Sequence, residues 1–378
     1  MRIQTILCAL FMSFNVFSMK SLMQMNIYFR IMLILFCFII SACKEKENYS
    51  FSFDNVEYIE KAKDAIKLSN PINVDLNIIG KTDFTIYEDL CLISGQNNGR
   101  TISVYQLPNF NYLGSYVHVG NGPGEVLFPP FVGSISIKQQ PDGIHAYFLN
   151  LKGGIIDWNV TKSIEAKATI ANTTDLRLPN DVVGGIYIND TSLLLKKINN
   201  DRDGQQRYIF SKGIENRSSQ MEILNSIAIA KKGDGFMFNV LSSDYNYSAY
   251  NNKIVEASNF VNTINLYGYA NDNSYKTVCL GDELDDINQI CENGIEEFKR
   301  TCIDLKIYDK FFSVLYSGNY LYQRENSKIH PPILYIFNWD GKLLKEIHFE
   351  EYFDCFDIDV NNHVLYTLNT VTDELKVY

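Results

Sequence analysis

Short apolar runs separated by turn residues dominate the chain from about residue 53 onward. Typical runs occupy residues 84–87, 90–94, 101–105, 112–117, 134–137, 146–149, 154–158, 185–188, 193–195 and 208–210. They are rich in aromatic and β-branched residues, which fit the half-buried surface of a pleated sheet. Regular short strands with turn signals between them predict an all-β sandwich, barrel or propeller.

A loose internal repeat favours the propeller. Three segments, 104–114, 157–165 and 335–347, each suggest a strand, a tight turn and a second strand, as the outer hairpin of a blade requires. Asp340-Gly341 is the strongest hairpin signal of the three. Since a blade takes roughly 50–55 residues, the length of the domain predicts about six blades. We therefore expect a six-bladed β-propeller over residues 53–378.

The C-terminal end of the chain alternates between apolar and polar residues, and it ends inside a predicted strand, residues 374–378. Such an ending suits a closed ring in which strands from both termini complete one blade. The missing partner is expected before Pro71. Helical periodicity is rare: Tyr58 to Leu68 is predicted as one short helix, and residues 282–300 as another turn or two.

The N-terminal leader has the three regions of a signal peptide. Arg30 precedes ten apolar residues, Ile31 to Ile40, and Ser41-Ala42-Cys43 follows. Ten helical residues rise only about 15 Å, too little to span a hydrocarbon core of roughly 30 Å. We expect residues 1–42 to be a signal peptide cleaved between Ala42 and Cys43. A second apolar stretch lies upstream, so the true start is predicted at Met19, Met23 or Met25, with a long leader or a transmembrane segment as alternatives.

Ile40-Ser41-Ala42-Cys43 resembles the lipobox of bacterial lipoproteins, in which the cysteine is lipidated. The resemblance implies that Cys43 carries the lipid and that the charged residues 43–52 form a tether. It also implies an exported outer-membrane lipoprotein that faces the periplasm or the cell surface. The alternative is ordinary secretory cleavage with Cys43 as a bystander.

Charge and cysteine usage exclude several classes of protein. The formal net charge of the chain is −10, and it becomes −13 without the leader, which contains Arg2, Lys20 and Arg30 and no acid. So acidic a surface repels phosphate backbones, which argues against nucleic-acid partners. Five cysteines remain beyond the leader and Cys43, and they form no C-x-x-C pair: Cys91, Cys279, Cys291, Cys302 and Cys355. Buried free thiols are expected, with a disulfide within the 279–302 group as the alternative.

The segment from Gly120 to Glu125 follows the pattern G-x-G-P-G-E. Its glycines could form an anion-binding concavity, but Pro123 removes one amide donor and Glu125 adds a negative charge. We interpret Gly122, Pro123, Gly124 and Glu125 as a rigid turn between blades, in which glycines take positive φ and Glu125 caps neighbouring amides.

This motif, which follows a strand and precedes Phe128-Pro129-Pro130, resembles that of the TolB-like six-bladed propeller lipoproteins of Bacteroidetes-type bacteria. The segments 337–341, 356–360 and the final strand match the same pattern. The resemblance implies a fold and a cellular location. It does not imply a reaction.

No catalytic or metal-binding constellation is evident in the sequence. The loop 199–204 has alternating oxygen ligands, but Phe210 stands where a calcium loop needs an acid. The acidic residues 282–286 are interpreted as an exposed loop, and neither a G-x-S-x-G elbow nor an H-E-x-x-H motif is present. We therefore expect no metal and no cofactor. The predicted function is a non-catalytic binding or scaffolding propeller with an envelope protein, peptide or glycan partner, and the alternative is an envelope hydrolase or lyase acting on glycans or peptides.

Overall fold

The computed structural model describes residues 50–378 with short gaps, and all of them belong to one compact unit, Tyr49–Tyr378. The gaps are residues 60–64, 77, 121, 123–124, 127–129, 131–133, 151–153, 177, 180, 200–203, 228–239, 270–273, 294 and 323–327. Three strands precede the first blade: β1 (Val56–Ile59), β2 (Ile66–Leu68) and β3 (Ile72–Val74).

The remaining strands form six successive sheets, which are the six blades of the predicted propeller. Blades 1 to 3 contain β4 (Ile79–Tyr87), β5 (Leu90–Asn97), β6 (Arg100–Gln106) and β7 (Asn111–His118); β8 (Ser136–Gln140), β9 (Gly143–Asn150), β10 (Gly154–Asn159) and β11 (Ala171–Asp175); and β12 (Val182–Asn189), β13 (Ser192–Asn199), β14 (Gly204–Ser211) and β15 (Ile214–Asn216). Blades 4 to 6 contain β16 (Ser243–Ser248), β17 (Lys253–Ser258), β18 (Thr263–Gly268) and β19 (Lys276–Leu280); β20 (Cys302–Ile307), β21 (Phe311–Tyr316), β22 (Ile333–Asn338) and β23 (Leu343–Phe349); and β24 (Cys355–Asp359), β25 (Val364–Asn369) and β26 (Glu374–Val377).

Six buried apolar clusters hold the blades together, one at each boundary between neighbours. The cluster between the last and first blades contains Leu368 and Leu375 of blade 6 with Phe84 and Ile93 of blade 1. Both faces of each blade are therefore buried, which explains why many strands are apolar throughout rather than alternating. The ring is closed by packing between the two ends of the domain.

The N-terminal segment, residues 50–74, runs along the outer edges of three blades. β1 pairs in parallel with β19 of blade 4, and β2 pairs in parallel with β23 of blade 5. β3 pairs antiparallel with β26 and completes blade 6. Strands from both termini thus share one blade, as the sequence predicted, but the partner follows Pro71 instead of preceding it.

The helix predicted from Tyr58 to Leu68 is wrong, because the described ends of this stretch are the strands β1 and β2. Each has an open sheet edge beside it, and those edge amides and carbonyls outweigh the weak local preference for helix. The second helical prediction is confirmed in part by α3 (Ile287–Asn293) and a 3-10 turn at Ile295–Glu297.

Two further short helices are α1 (Val160–Ala166) and α2 (Ser219–Asn225). α1 lies between β10 and β11, so the hairpin predicted at 157–165 is wrong. Asn159 caps this helix by accepting a 2.8 Å hydrogen bond from the amide of Lys162, and such a cap favours a helical start over a tight turn. The other two hairpins are confirmed as β6–β7 and β22–β23. No helix in the described part of the chain is long and apolar enough to cross a membrane.

A buried ion-pair cluster joins blades 3 and 4. The guanidinium of Arg207 donates to Glu256 at 2.6–2.9 Å, and Lys196 lies 3.1 Å from the same carboxylate. Tyr267 also donates to Glu256 at 2.9 Å, and the ring of Phe51 lies 4.7 Å from the guanidinium carbon. Burial alone would raise the pKa of Glu256, but the two cations outweigh burial and hold it well below its usual range. Burial lowers the pKa of Lys196 to about 8.

Candidate functional site

A cavity of about 600 Å³ lies at the centre of the propeller. The innermost strand of every blade contributes to its wall: β4, β8, β12, β16, β20 and β24. The connections that follow β16, β20 and β24 form part of its rim. A concave site assembled from all six blades is the usual place for a ligand in a protein of this architecture.

Two acids of the innermost strands, Asp304 and Asp357, accept hydrogen bonds from neighbouring blades. Asp304 of blade 5 accepts the amide of Leu305 at 2.8 Å and that of Phe356, in blade 6, at 2.9 Å. Asp357 of blade 6 accepts the amide of Ile86, in blade 1, at 2.8 Å. Inner-edge amides have no partner strand, so these carboxylates satisfy donors that would otherwise lack one. Asp304 therefore links blade 5 to blade 6, and Asp357 links blade 6 to blade 1.

Lys306 neutralises this group of acids. From blade 5 it donates to the carbonyl of Phe84, in blade 1, at 2.9 Å, and its ammonium lies 3.4 Å from Asp83 and 3.7 Å from Asp304. Burial, opposed by Lys306 and aided by the charge of Asp83, raises the pKa of Asp304 to about 8. The pKa of Lys306 is raised, because its acidic neighbours outweigh burial.

Ligand atoms of Asp83, Asp304 and Cys355 lie within 4.8 Å of one another, a spacing that a metal ion could use. The ammonium of Lys306 already supplies a positive charge at this place. Burial also raises the pKa of the Cys355 thiol well above its ordinary value, which disfavours the thiolate that binds metals. The group is better suited to holding a lysine than a metal ion.

Blade 2 places a different cation on the cavity wall. Lys138 donates a 3.2 Å hydrogen bond to the carbonyl of Ile188 in blade 3, and its ammonium lies 4.5 Å from the centre of the Tyr187 ring. Tyr187 in turn stacks on Tyr147 with ring centres 4.2 Å apart, and its hydroxyl donates to Asp190. Burial lowers the pKa of Lys138. Stacking on Tyr147 thus fixes the Tyr187 ring that the Lys138 ammonium contacts.

Aromatic side chains line the wall contributed by blade 5 and the rim of blade 4. Tyr308 and Phe311 stack with ring centres 4.5 Å apart. The hydroxyl of Tyr308 is held by Asp357 at 2.7 Å, which fixes the orientation of the ring. Tyr250, on the rim, is 76% exposed. The cavity combines charged groups with flat apolar surfaces.

The loop singled out in the sequence joins blade 1 to blade 2, and its described residues do not line the cavity. The amide of Gly122 donates to Glu125 at 2.6 Å, so Glu125 is engaged with its own loop. The positive φ expected of Gly120 and Gly122 is wrong. A Cβ at Gly120 would lie 2.1 Å from a Glu125 oxygen, so a larger residue there would have to displace the Glu125 side chain. Pro123 and Gly124 lie outside the described residues.

The other candidates from the sequence are distributed over the fold. Ala42 and Cys43 lie outside the described residues. In the loop 199–204, residues 200–203 also lie outside them, and the flanking residues Asn199 and Gly204 pair with each other as neighbours on β13 and β14. In the acidic loop, Asp285 exchanges bonds with Asn262, and Asp286 accepts the amides of Asn288 and Gln289. The five cysteines of the domain are free thiols in this structure; Cys91, Cys279 and Cys302 are buried as expected, and Cys291 and Cys355 are only partly buried.

Sequence reasoning missed Lys138, Lys306 and the inner-strand aspartates. A signal was present for Asp304, Lys306 and Asp357, since each interrupts a run of strand-forming residues, but Lys138 is followed by further polar residues and gives no such signal. However, the alternation of apolar and polar residues along a strand does not show whether that strand will lie nearest the axis. Its position is set by how the strands of each blade pack into the ring.

Comparison with known proteins adds a family. A family model described as TolB-like 6-blade propeller-like matches residues 81–361. Among solved structures, the chain is similar to a member of the DUF4221 family from Bacteroides vulgatus, with 9% identity, coverage of 82% of this chain and 96% of that one, and a TM-score of 0.45. It is also similar to Raptor from Chaetomium thermophilum (13% identity, 80% of this chain, 28% of that one, TM-score 0.42) and to the computationally designed Ika8 protein (11%, 79%, 83%, TM-score 0.31).

No curated protein matches the sequence. The family match spans most of the six-sheet domain and agrees with its blade count. The chain belongs to the TolB-like six-bladed propeller family.

Proposed function

We propose that this protein is an exported, lipid-anchored binding module whose ligand occupies the central cavity. The observation that carries the proposal is the cavity itself, which all six blades line and which holds both a half-buried cation and stacked aromatic rings. Rigid walls of this kind limit the entropy lost when a ligand binds.

The arrangement of the acids supports binding without catalysis. Asp357 accepts four hydrogen bonds: from Tyr308 and its own neighbour Ile358 on one oxygen, and from Thr85 and Ile86 on the other. A general acid or base must reach the proton that it transfers. Because this carboxylate is saturated by the protein, it is poorly placed for that role.

The anchor proposed for the module is lipid on Cys43. A single acyl chain binds a membrane only marginally, whereas the several chains implied by the lipobox resemblance would anchor stably. Cys43→Ala should release the protein from the membrane fraction, and Cys37→Ala, in the leader, should leave it membrane-bound. Membrane association that survives Cys43→Ala would refute this anchor.

One observation favours the alternative, an envelope hydrolase or lyase acting on glycans or peptides. Asp304 has a pKa of about 8 and lies in a group with Asp83, and an acid that stays protonated at neutral pH can serve as a general acid. A protein with this activity would act on a substrate that displaces Lys306 from the two acids.

The two functions are separated by screening the detergent-solubilised mature protein on glycan and peptide arrays, with product analysis of each bound compound. Binding without product formation supports the proposed module. Turnover that disappears in Asp304→Asn, with binding retained, would replace the binding role with the enzymatic one.

A further inference from the structure

Three charged side chains that line the cavity are already satisfied by the protein. Asp359 accepts the amides of Asn361 and Asn362 and the side-chain amide of Asn362. Asp357 accepts four hydrogen bonds, as described above, and Lys306 contacts a carbonyl and two carboxylates. None of these three groups has much capacity left for a ligand.

Lys138 differs from them. Its ammonium has three donor hydrogens, and the described residues provide one hydrogen-bond acceptor, the carbonyl of Ile188 at 3.2 Å. Within the described part of the chain it forms no ion pair, and the nearby Asp190 is engaged with the hydroxyl of Tyr187. A half-buried cation of this kind gains most from an incoming anionic group, since burial makes its missing partner more costly.

The wall opposite Lys138 is aromatic. Blades 2 and 5 stand three apart in a ring of six, so Lys138 and the stacked pair of Tyr308 and Phe311 face each other from opposite blades. A ligand that spans the cavity would meet a positive charge at one end and a flat apolar surface at the other. The volume of about 600 Å³ suits a ligand of two or three ring-sized units.

We propose that the central cavity selects a small monocarboxylate that also carries a ring with an apolar face, with Lys138 binding the carboxylate and the Tyr308–Phe311 pair contacting the ring. The inference deepens the proposed function and rests on it. Of the three lysines that line the cavity, Lys306 is engaged by two acids and Lys310 lies on the exposed rim, which leaves Lys138 as the half-buried cation that can match one carboxylate. A second negative charge on the ligand would find no such partner. The exposed rim acids Glu88 and Asp309 and the net charge of −13 beyond the leader oppose polyanions further.

Two matched pairs of probes test this ligand class on the detergent-solubilised mature protein by calorimetry. The first pair is cellobiouronic acid and neutral cellobiose, and the second is acetyl-glutamyl-phenylalanine amide and its glutaminyl counterpart. Each pair differs only in the carboxylate, and the two pairs distinguish an acidic sugar from an acidic peptide as its source. Lys138→Met removes the charge, Lys138→Arg keeps it, and Lys345→Met is the control at an exposed lysine on the outer strand of blade 5, away from the cavity.

The expected result is tighter binding of the acidic member of at least one pair. Lys138→Met should lower that affinity by about tenfold to a hundredfold, with little change for the neutral member, while Lys345→Met stays close to wild type. Lys138→Arg should recover part of the loss. The wild-type preference for the acid is measured without any variant, so it stands even if Lys138→Met fails to fold.

Equal affinity for acidic and neutral probes, or an acid preference that Lys138→Met leaves intact, would overturn the ligand class while the binding function stands. Absence of binding by all four probes, together with a negative array screen, would overturn the binding function and the inference with it.

Discussion

The backbone amide of Ile86 in blade 1 donates a 2.8 Å hydrogen bond to the carboxylate of Asp357 in blade 6. The bond joins the first and last blades beside the cavity, whereas along the chain they are joined through β3 of blade 6, which precedes β4 of blade 1. β3 pairs with β26 at the outer edge of blade 6. Blades 6 and 1 are therefore connected both near the axis of the ring and at its outer edge.

Loss of the hydrogen bonds that Asp357 accepts should destabilise the whole domain. Asp357→Ala leaves the amide of Ile86 and the hydroxyls of Thr85 and Tyr308 without this acceptor, and we expect a fall in the free energy of unfolding of at least about 2 kcal/mol. Chemical denaturation measures the change. The control Asp309→Ala, at an exposed rim acid, should change the value by less than about 0.5 kcal/mol. Equal stability of the two variants would contradict this role of Asp357.

The ion-pair cluster between blades 3 and 4 should be more sensitive to substitution. Glu256→Gln leaves Arg207 and Lys196 buried without their counter-ion, and the expected loss is about 3–5 kcal/mol of unfolding free energy. Glu350→Gln breaks the exposed pair with Lys67, which is 2.9 Å long, and should cost at most about 1 kcal/mol. Denaturation of both variants in the same buffer makes the comparison. A small effect of Glu256→Gln would show that the cluster adapts to the loss.

The stability of the domain should depend on pH through Asp304. Its folded pKa of about 8 lies above the value in an unfolded chain, so the folded state binds more protons between about pH 4 and pH 8. Stability should therefore decline as pH rises through that window, by at most about 1.4 kcal/mol per pH unit, and level off above it.

Asp304→Asn removes this titration, so its unfolding free energy should fall less steeply over the same window. Asp282→Asn, in an exposed loop, should keep the wild-type slope. Thermal melts at unit intervals of pH measure both. Parallel profiles for wild type and Asp304→Asn would rule out Asp304 as the titrating group.

The N-terminal segment should be essential to the fold, although it lies outside the repeat. Phe51 and Phe53 are 0% and 1% exposed in the apolar cluster between blades 3 and 4, and β3 completes blade 6. A chain that begins at Asp75 loses all these contacts and should lack a cooperative unfolding transition, since a buried phenylalanine alone contributes about 3–5 kcal/mol. A chain that begins at Ser50 should unfold as the longer protein does. Cooperative unfolding of the shorter chain would refute the role of the segment.

Local sequence features predicted the repeated architecture well. Strands at 84–87, 101–105 and 112–117 follow from runs rich in β-branched and aromatic residues, the strand at 193–195 follows from a short leucine run, and Asp340-Gly341 marks a hairpin that the structure contains. The prediction of a helix from Tyr58 to Leu68 failed because this sequence has only a weak preference for helix. Its described ends pair with the open edges of blades 4 and 5, and this pairing decides their conformation. The hairpin at 157–165 failed because the cap at Asn159 starts a helix instead.

By itself, the sequence determined the class of fold, the number of blades and the family pattern, because strand periodicity, turn chemistry and repeat length are local properties. It also carries the basis for the proposed export and lipidation at Cys43. Only the tertiary structure decided which residues meet at the axis. Lys138, the Asp304–Lys306 strand and Asp357 come from different blades, and their burial and hydrogen bonds arise when blades 1, 2, 3, 5 and 6 pack into a closed ring.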